Sequence, residues 1–270
     1  ELYDFPVAYF PKFFHPDPSV ERQSGLLSPA IGDHETLGDS IYLPYFFVIS
    51  DDKDLTLKPR LFNNSGGSRK IVLQTEYRQE TRNSLTIIDS SITAGHYSDA
   101  ENKADKDTRS HFFSNTEIDL DFKDFISSKL EINYEKISND NYLSLFNFIK
   151  SPLWEKSRGT LTSKIDIDLA HEDYDFASSL IMYETLGGKN SDRYSYVLPN
   201  YSFSKNFFLT NFDGSFNFSS SGDYSIGNTN VSTSKISNDL TVSSFNFYTD
   251  IGIINDYNFL FKNINSMSDN

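Results

Sequence analysis

Cysteine is absent from the 270 residues. That removes disulfide frameworks, thiolate metal sites and thiol chemistry from this stretch. Apolar residues are scarce: at 37% they fall below the usual share of a globular domain. No apolar run is long enough for a transmembrane helix, and no signal-peptide pattern stands at the start. Positive charge is short as well, with 24 Lys and Arg against 38 Asp and Glu, a net charge of −14. Nucleic-acid binders carry basic patches, and docking on an anionic membrane surface needs them too, so the charge argues against both partners. Catalytic signatures are missing. His15, His34, His96, His111 and His171 fall in no metal-binding spacing, and His171-Glu172-Asp173 reads as a surface turn. There is no G-x-S-x-G and no phosphate loop. Asp119, Asp121 and Asp124 lack the Gly and the spacing of an EF-hand. The chain is read as no enzyme, with no catalytic residue, metal or cofactor.

Aromatic residues, at 15%, are abundant: 24 Phe and 16 Tyr against one Trp. A chain poor in aliphatics and rich in Phe and Tyr suits a barrel that shows lipid a thin apolar band between two aromatic girdles. A barrel lumen also tolerates the negative charge. Period-two alternation recurs along the chain. It is unbroken in Glu117-Ile118-Asp119-Leu120-Asp121-Phe122, in Leu130-Glu131-Ile132-Asn133-Tyr134 and in Ile165-Asp166-Ile167-Asp168-Leu169. Ile71, Leu73 and Tyr77 share one parity; Gln74, Glu76 and Arg78 share the other. Successive strand side chains point to opposite faces, so each segment has an oily and a polar side.

Strands are expected near 24–32, 37–49, 54–62, 68–80, 84–97, 110–122, 127–138, 159–171, 174–186, 193–210, 213–222, 236–248 and 252–263. Many run about 10 to 14 residues, longer than the strands of soluble sheets and suited to a tilted bilayer crossing. Short turns at 50–53, 81–83, 123–126, 172–173, 211–212 and 249–251 take turns with longer connections at 63–67, 98–109, 139–158, 187–192 and 223–235. Outer-membrane barrels sort their loops by end in this way. The loop 139–158, with its run from Tyr142 to Ile149 and Trp154, has room for a short helix or a lid across a barrel mouth. Both ends read as cut, so the chain is taken as a fragment.

The most specific stretch is 6–62. It opens Pro6-Val7-Ala8-Tyr9-Phe10-Pro11-Lys12-Phe13-Phe14-His15-Pro16 and continues Val20-Glu21-Arg22-Gln23-Ser24-Gly25-Leu26-Leu27-Ser28-Pro29. Then come Ile41-Tyr42-Leu43-Pro44-Tyr45-Phe46 and Asp54-Leu55-Thr56-Leu57-Lys58-Pro59-Arg60. In order and content these blocks resemble the LptD family of LPS-assembly outer-membrane proteins, where a periplasmic jelly roll hands over to the first barrel strands. Arg22, Ser24 and Gly25 belong to the signature. The likeness continues more weakly at Asn190-Ser191-Asp192-Arg193-Tyr194 and Tyr196-Val197-Leu198-Pro199.

The resemblance implies an all-β fold, a partial antiparallel transmembrane β-barrel in the cell outer membrane. Residues 1–23 would be the end of the jelly roll and a linker, and 24–270 the N-terminal half of a barrel of about 26 strands, at the upper end of ordinary single-chain barrels. It implies lipopolysaccharide as cargo, with an LptE-type plug lipoprotein, an LptA-type periplasmic bridge and outer-membrane lipids as partners. It also implies a lateral gate between the first and last strands. Pro29 and Pro44 fall in the first two expected strands. Proline cannot donate a ladder hydrogen bond, so they are the candidate gate residues. Glu117, Asp119 and Asp121 are the candidate lumen acids. The rival readings are a general porin or uptake channel, which has no need of the Pro-rich lead-in, and a soluble or surface β-sandwich.

Overall fold

The computed structural model describes residues 22–269, apart from 36, 64–68, 95–96, 99–103, 106–107, 155–157, 190–192, 209–213 and 228–230. Most of the stretch 1–23 and of the Pro-rich lead-in lies outside the described residues, as do Asn190, Ser191 and Asp192. What is described is nearly all antiparallel strand: β1 (Gly25–Leu26), β2 (Ala30–Gly32), β3 (Asp39–Tyr42), β4 (Tyr45–Ser50), β5 (Lys53–Asn63), β6 (Arg69–Glu80), β7 (Ser84–Ala94), β8 (Tyr97–Ser98), β9 (Ala104–Asp105), β10 (Arg109–Asp119) and β11 (Ser127–Ile137). A one-turn helix, α1 (Tyr142–Leu145), precedes β12 (Thr160–Ala170), β13 (Tyr174–Thr185), β14 (Tyr194–Phe208), β15 (Gly214–Ile226), β16 (Ser232–Ser244), β17 (Phe247–Tyr248), β18 (Ile254–Asn255) and β19 (Asn258–Asp269). Fifteen strands form one sheet in the order β1-β4-β5-β6-β7-β10-β11-β12-β13-β14-β15-β16-β19, with β2 on β3 and β3 on β5. From β4 on, each strand of this sheet pairs with the next strand of the sheet, as hairpin connections dictate, while β8–β9 and β17–β18 form small hairpins of their own in the connections.

Two compact units are distinguished. The first holds the described part of Glu1–Gln79 with Asp89–Ser110; the second holds Glu80–Ile88 with His111–Asn270. In the first, burial runs opposite to that of a water-soluble sheet. On β6, Lys70, Gln74 and Glu76 are buried, while Ile71 and Leu73 are 48% and 37% exposed. A soluble antiparallel sheet hides its apolar face and wets its polar one. A sheet that displays apolar side chains and shelters polar ones is built for lipid on the outside and a polar interior. The second unit repeats the rule. On β10 His111 is buried and Phe112 is 43% exposed; on β11 Glu135 is buried and Ile132 and Tyr134 are exposed, while the apolar Phe113 and Ile137 are also buried, Phe113 against Trp154.

Five expectations are corrected. The segment 24–32 is two strands, β1 and β2, and 37–49 is two strands, β3 and β4. Pro29 and Pro44 therefore lie between strands rather than inside them. The strand expected at 110–122 ends at Asp119, and Asp121 sits in the following turn at φ 51, a left-handed conformation that Asp tolerates. The loop expected at 223–235 contracts to 227–231, because β15 runs on to Ile226 and β16 begins at Ser232. The turn expected at 249–251 lengthens to 245–257, with the small β17–β18 hairpin inside it. Sorting of loops by length holds through 171–173 and fails at this last pair.

Candidate functional site

The first strands meet around prolines. Register runs Gly25↔Phe46 and Leu26↔Tyr45 on one side, then Ala30↔Tyr42 and Ile31↔Ile41 on the other. Between these pairs three residues, Leu27 to Pro29, face two, Leu43 and Pro44, which is a bulge. Leu27 N–H donates to the Pro44 carbonyl at 2.9 Å, and Leu43 N–H donates to the Pro59 carbonyl at 3.1 Å. In an antiparallel ladder such pairs exchange two bonds. Proline has no N–H to return, so Leu27–Pro44 and Leu43–Pro59 each keep one. Pro29 and Pro44, in the breaks between β1 and β2 and between β3 and β4, and Pro59, inside β5, thus form a row across the first strands. Pro59 had not been singled out in the sequence; its spacing from Pro44, equal to that of Pro44 from Pro29, was the signal. Each missing bond forgoes about 0.5–1.5 kcal/mol.

The signature residues fasten the strand beside this break. Arg22 pairs with Asp54 and lies 5.8 Å from the Phe46 ring centroid. Ser24 Oγ accepts from Val48 N–H at 2.8 Å, and Gly25 pairs with Phe46. On the polar face next to the break, the Arg60 guanidinium lies over the Tyr42 ring at 4.9 Å and reaches Ser40 Oγ at 3.5 Å. Glu76 accepts from both Lys58 and Arg78. Further along, Gln74 Nε2 donates to both Asp89 oxygens, at 3.0 and 2.9 Å.

In the second unit the polar face is acidic. Glu117 lies opposite Glu131, and Asp119 opposite Lys129. Lys129 and Glu131 in turn face Asp168 and Asp166. Lys164 Nζ reaches Glu131 at 2.9 Å and Asp166 at 2.6 Å. The structure thus brings Glu117 and Asp119 into one acidic ladder and leaves Asp121 outside it.

The loop 139–158 carries α1 and folds onto the same face of β10 and β11. Tyr142 Oη is 3.0 Å from His111 Nδ1, and Trp154 packs edge-on against His111 and Phe113. Arg158 donates to the buried Glu135 at 2.6 Å. At the rim Arg193 bridges Asp140 and Glu184, at 2.7 and 2.5 Å. Its hydrogen bonds hold the Asp140 carboxyl below the usual carboxylate range, helped by Gly187 N–H.

An inside-out antiparallel sheet of hairpin-linked strands has the architecture of a β-barrel wall. Comparison with known proteins narrows the class. The chain is 29% identical over 168 residues to the LPS-assembly protein LptD of Pseudomonas aeruginosa (strain LESB58), covering 60% of this chain and 17% of that protein. To LptD of Cupriavidus pinatubonensis it is 41% identical over 77 residues, 28% of this chain and 9% of the relative. To LptD of Legionella pneumophila (strain Paris) it is 23% identical over 192 residues, 68% and 22%. No family model matches. The chain is thus similar to part of LptD, and it spans 9% to 22% of the length of these relatives. Nothing in sequence or structure favours the general porin.

Proposed function

We propose that this chain is the N-terminal part of the barrel of an LPS translocon in the outer membrane. The observation that carries the reading is the likeness to LptD over more than half of the chain, supported by the inside-out burial. On this reading the apolar face of each unit meets lipid and the polar face lines the lumen, so Glu117 and Asp119 are lumen acids. Lipopolysaccharide is the cargo. An LptE-type plug lipoprotein and an LptA-type bridge are the partners, and no step is catalytic.

Pro29 and Pro44 serve as gate residues. The bulge and the missing amide donors weaken the ladder between the first strands, where sideways opening is useful. Two such gaps lower the opening cost by a few kcal/mol, enough to move an open population by orders of magnitude. The test uses the complete protein in its host. Depletion should reduce surface LPS and raise sensitivity to large antibiotics. The complete protein should co-purify with LPS and a plug lipoprotein; ion conductance without either would point to a porin instead. Replacing Pro29 and Pro44 together with Ala should tighten the seam and impair LPS delivery while the barrel still assembles. Normal delivery by that double variant would remove the prolines from the mechanism.

A further inference from the structure

The apolar face of the second unit carries a lysine at its short-turn end. We propose that Lys205, Tyr174 and His171 form a site for the headgroup of a zwitterionic aminophospholipid in the inner leaflet of the outer membrane. This goes beyond the transport reading and rests on its assignment of the faces.

Three observations converge. First, register places the group. Tyr174 pairs with Lys205, and Lys205 with Phe218. On the same face Phe176 pairs with Leu169 and with Phe203. The face continues to the facing pair Ile165 and Leu180, 45% and 43% exposed. The turn 171–173 beside the group is one of the short ones, which in outer-membrane barrels lie on the periplasmic side. At this level Phe125, Tyr174, Phe203 and Phe218 follow one another across the strands, with ring centroids 5.9, 6.1 and 6.3 Å apart. Such a row marks the membrane interface.

Second, Lys205 is not neutralised. The other strand lysine of this face, Lys136, is bonded to Glu184. Lys205 meets no carboxylate among the described residues. Its ammonium lies 5.9 Å from the Tyr174 ring centroid and 5.0 Å from that of Phe207. Aromatic faces attract a cation, but a charge drawn out of water also needs an opposite charge. Third, two more donors stand beside it. His171 stacks on Tyr174 at 4.6 Å. Its Nδ1 accepts from Asp173 N–H at 3.2 Å, so the neutral ring carries its proton on Nε2 as a donor. Neither that donor nor the Tyr174 hydroxyl has an acceptor among the described residues. An ammonium, a phenol and an imidazole N–H together suit a ligand made of acceptors, and phosphate is one. The exposed Glu172 and Asp173 of the turn repel a second negative charge and suit a headgroup that also bears an amine. The acyl chains then lie along the apolar face.

The experiment uses the complete protein with its partner in detergent, titrated with dioleoyl phosphatidylethanolamine and followed by native mass spectrometry. Wild type should hold this lipid about tenfold more tightly than dioleoylglycerol, which lacks the headgroup. K205Q should weaken lipid binding about tenfold, from the loss of a charge-assisted hydrogen bond. H171F/Y174F, which keeps the rings and removes the donors, should weaken it about fivefold. K205R, which keeps the charge, should weaken it less. K262Q, on the polar face beside Asp239, should leave it unchanged. Heat-modifiable migration on gels checks that each variant folds. Dioleoylglycerol held as tightly as the aminophospholipid would overturn the headgroup site. Displacement by inorganic phosphate at equal concentration would make this a plain phosphate site and overturn the lipid assignment. Tighter binding of phosphatidylglycerol would overturn the preference for an amine. A nitroxide on Ile167→Cys separates the site from the face. With that label in lipid, equal affinity in wild type and K205Q overturns the site alone. A label in water overturns the assignment of faces with it.

Discussion

Two junctions short of amide donors and two charge clusters set the units apart. In the first unit one carboxylate, Glu76, is shared by two cations. In the second, one cation, Lys164, is shared by two carboxylates at 2.9 and 2.6 Å. The backbones differ in the same places. Around Glu76 and Arg60 the neighbouring strands are interrupted by proline, whereas around Lys164 β11 pairs with β12 from Ser127↔Ala170 to Asn133↔Lys164 and β12 with β13 from Thr160↔Thr185 to Ala170↔Asp175 with no shift of register. On the proposed reading, a weakened ladder suits the place where the wall parts. An acid-rich face on a continuous ladder suits a wall along which an anion slides without sticking, because like charges repel even when partly screened.

The comparison can be broken at several points. The largest effect is expected from Ile167→Arg in the continuous wall. Ile167 lies between Leu130 and Ser178 in mid-strand on the apolar face, and the change should cost about 2–4 kcal/mol in lipid. Asp168→Arg, one residue on and facing Lys129 across the ladder, should cost much less. Denaturant titration of the barrel in lipid vesicles measures both, and equal costs would overturn the assignment of faces.

Next comes Gly222 in β15. A Cβ there would sit 2.7 Å from Tyr201 Cε1 and 2.9 Å from the Lys235 carbonyl. Gly222→Val should therefore destabilise by about 1–3 kcal/mol through overpacking, read in the same titration. A tolerated valine would show that the second unit yields as readily as the first. Pro59→Ala should do the reverse in the first unit. It restores a donor opposite Leu43 and should stabilise by about 0.5–1.5 kcal/mol, with slower hydrogen exchange at Leu43 and its neighbours. Unchanged exchange would remove Pro59 from the row of weak points.

The smallest effect concerns pH. The Asp140 carboxyl is held low by Arg193, so its contribution is present above the ordinary carboxylate range. It is lost as pH falls through the lowered value. Because Asp140 is more than a third exposed, the effect should be modest. Proteolysis of the loop 139–158 should rise on acidification in the native chain and lose that dependence in Asp140→Asn; identical profiles would sink the assignment.

Much of this was legible in the residues. Expected strands at 68–80, 127–138, 159–171 and 174–186 match β6, β11, β12 and β13 to within a residue or so, because alternation is unbroken and turn residues bound them. Expectation failed where those signals weaken. Asp223 to Ile226 and Ser232 to Lys235 are expected in a loop, yet they pair with each other across β15 and β16. Strand propensity reflects cross-strand neighbours more than intrinsic preference, and those neighbours are not visible in a local window. The same holds for Pro59, which reads as one proline in a strand until register sets it beside Leu43.

The sequence by itself determined the class of the protein, the parity of its two faces and the order of its hairpins. A period of two and the spacing of turns encode these locally, whatever the strands pair with. Only the tertiary structure decided that three prolines fall in one row, that Arg60 covers Tyr42, and that Glu76 and Lys164 are each shared in opposite senses. Parity says which face a side chain takes, but the register between separate strands says whom it meets, and register is settled by the whole ladder at once.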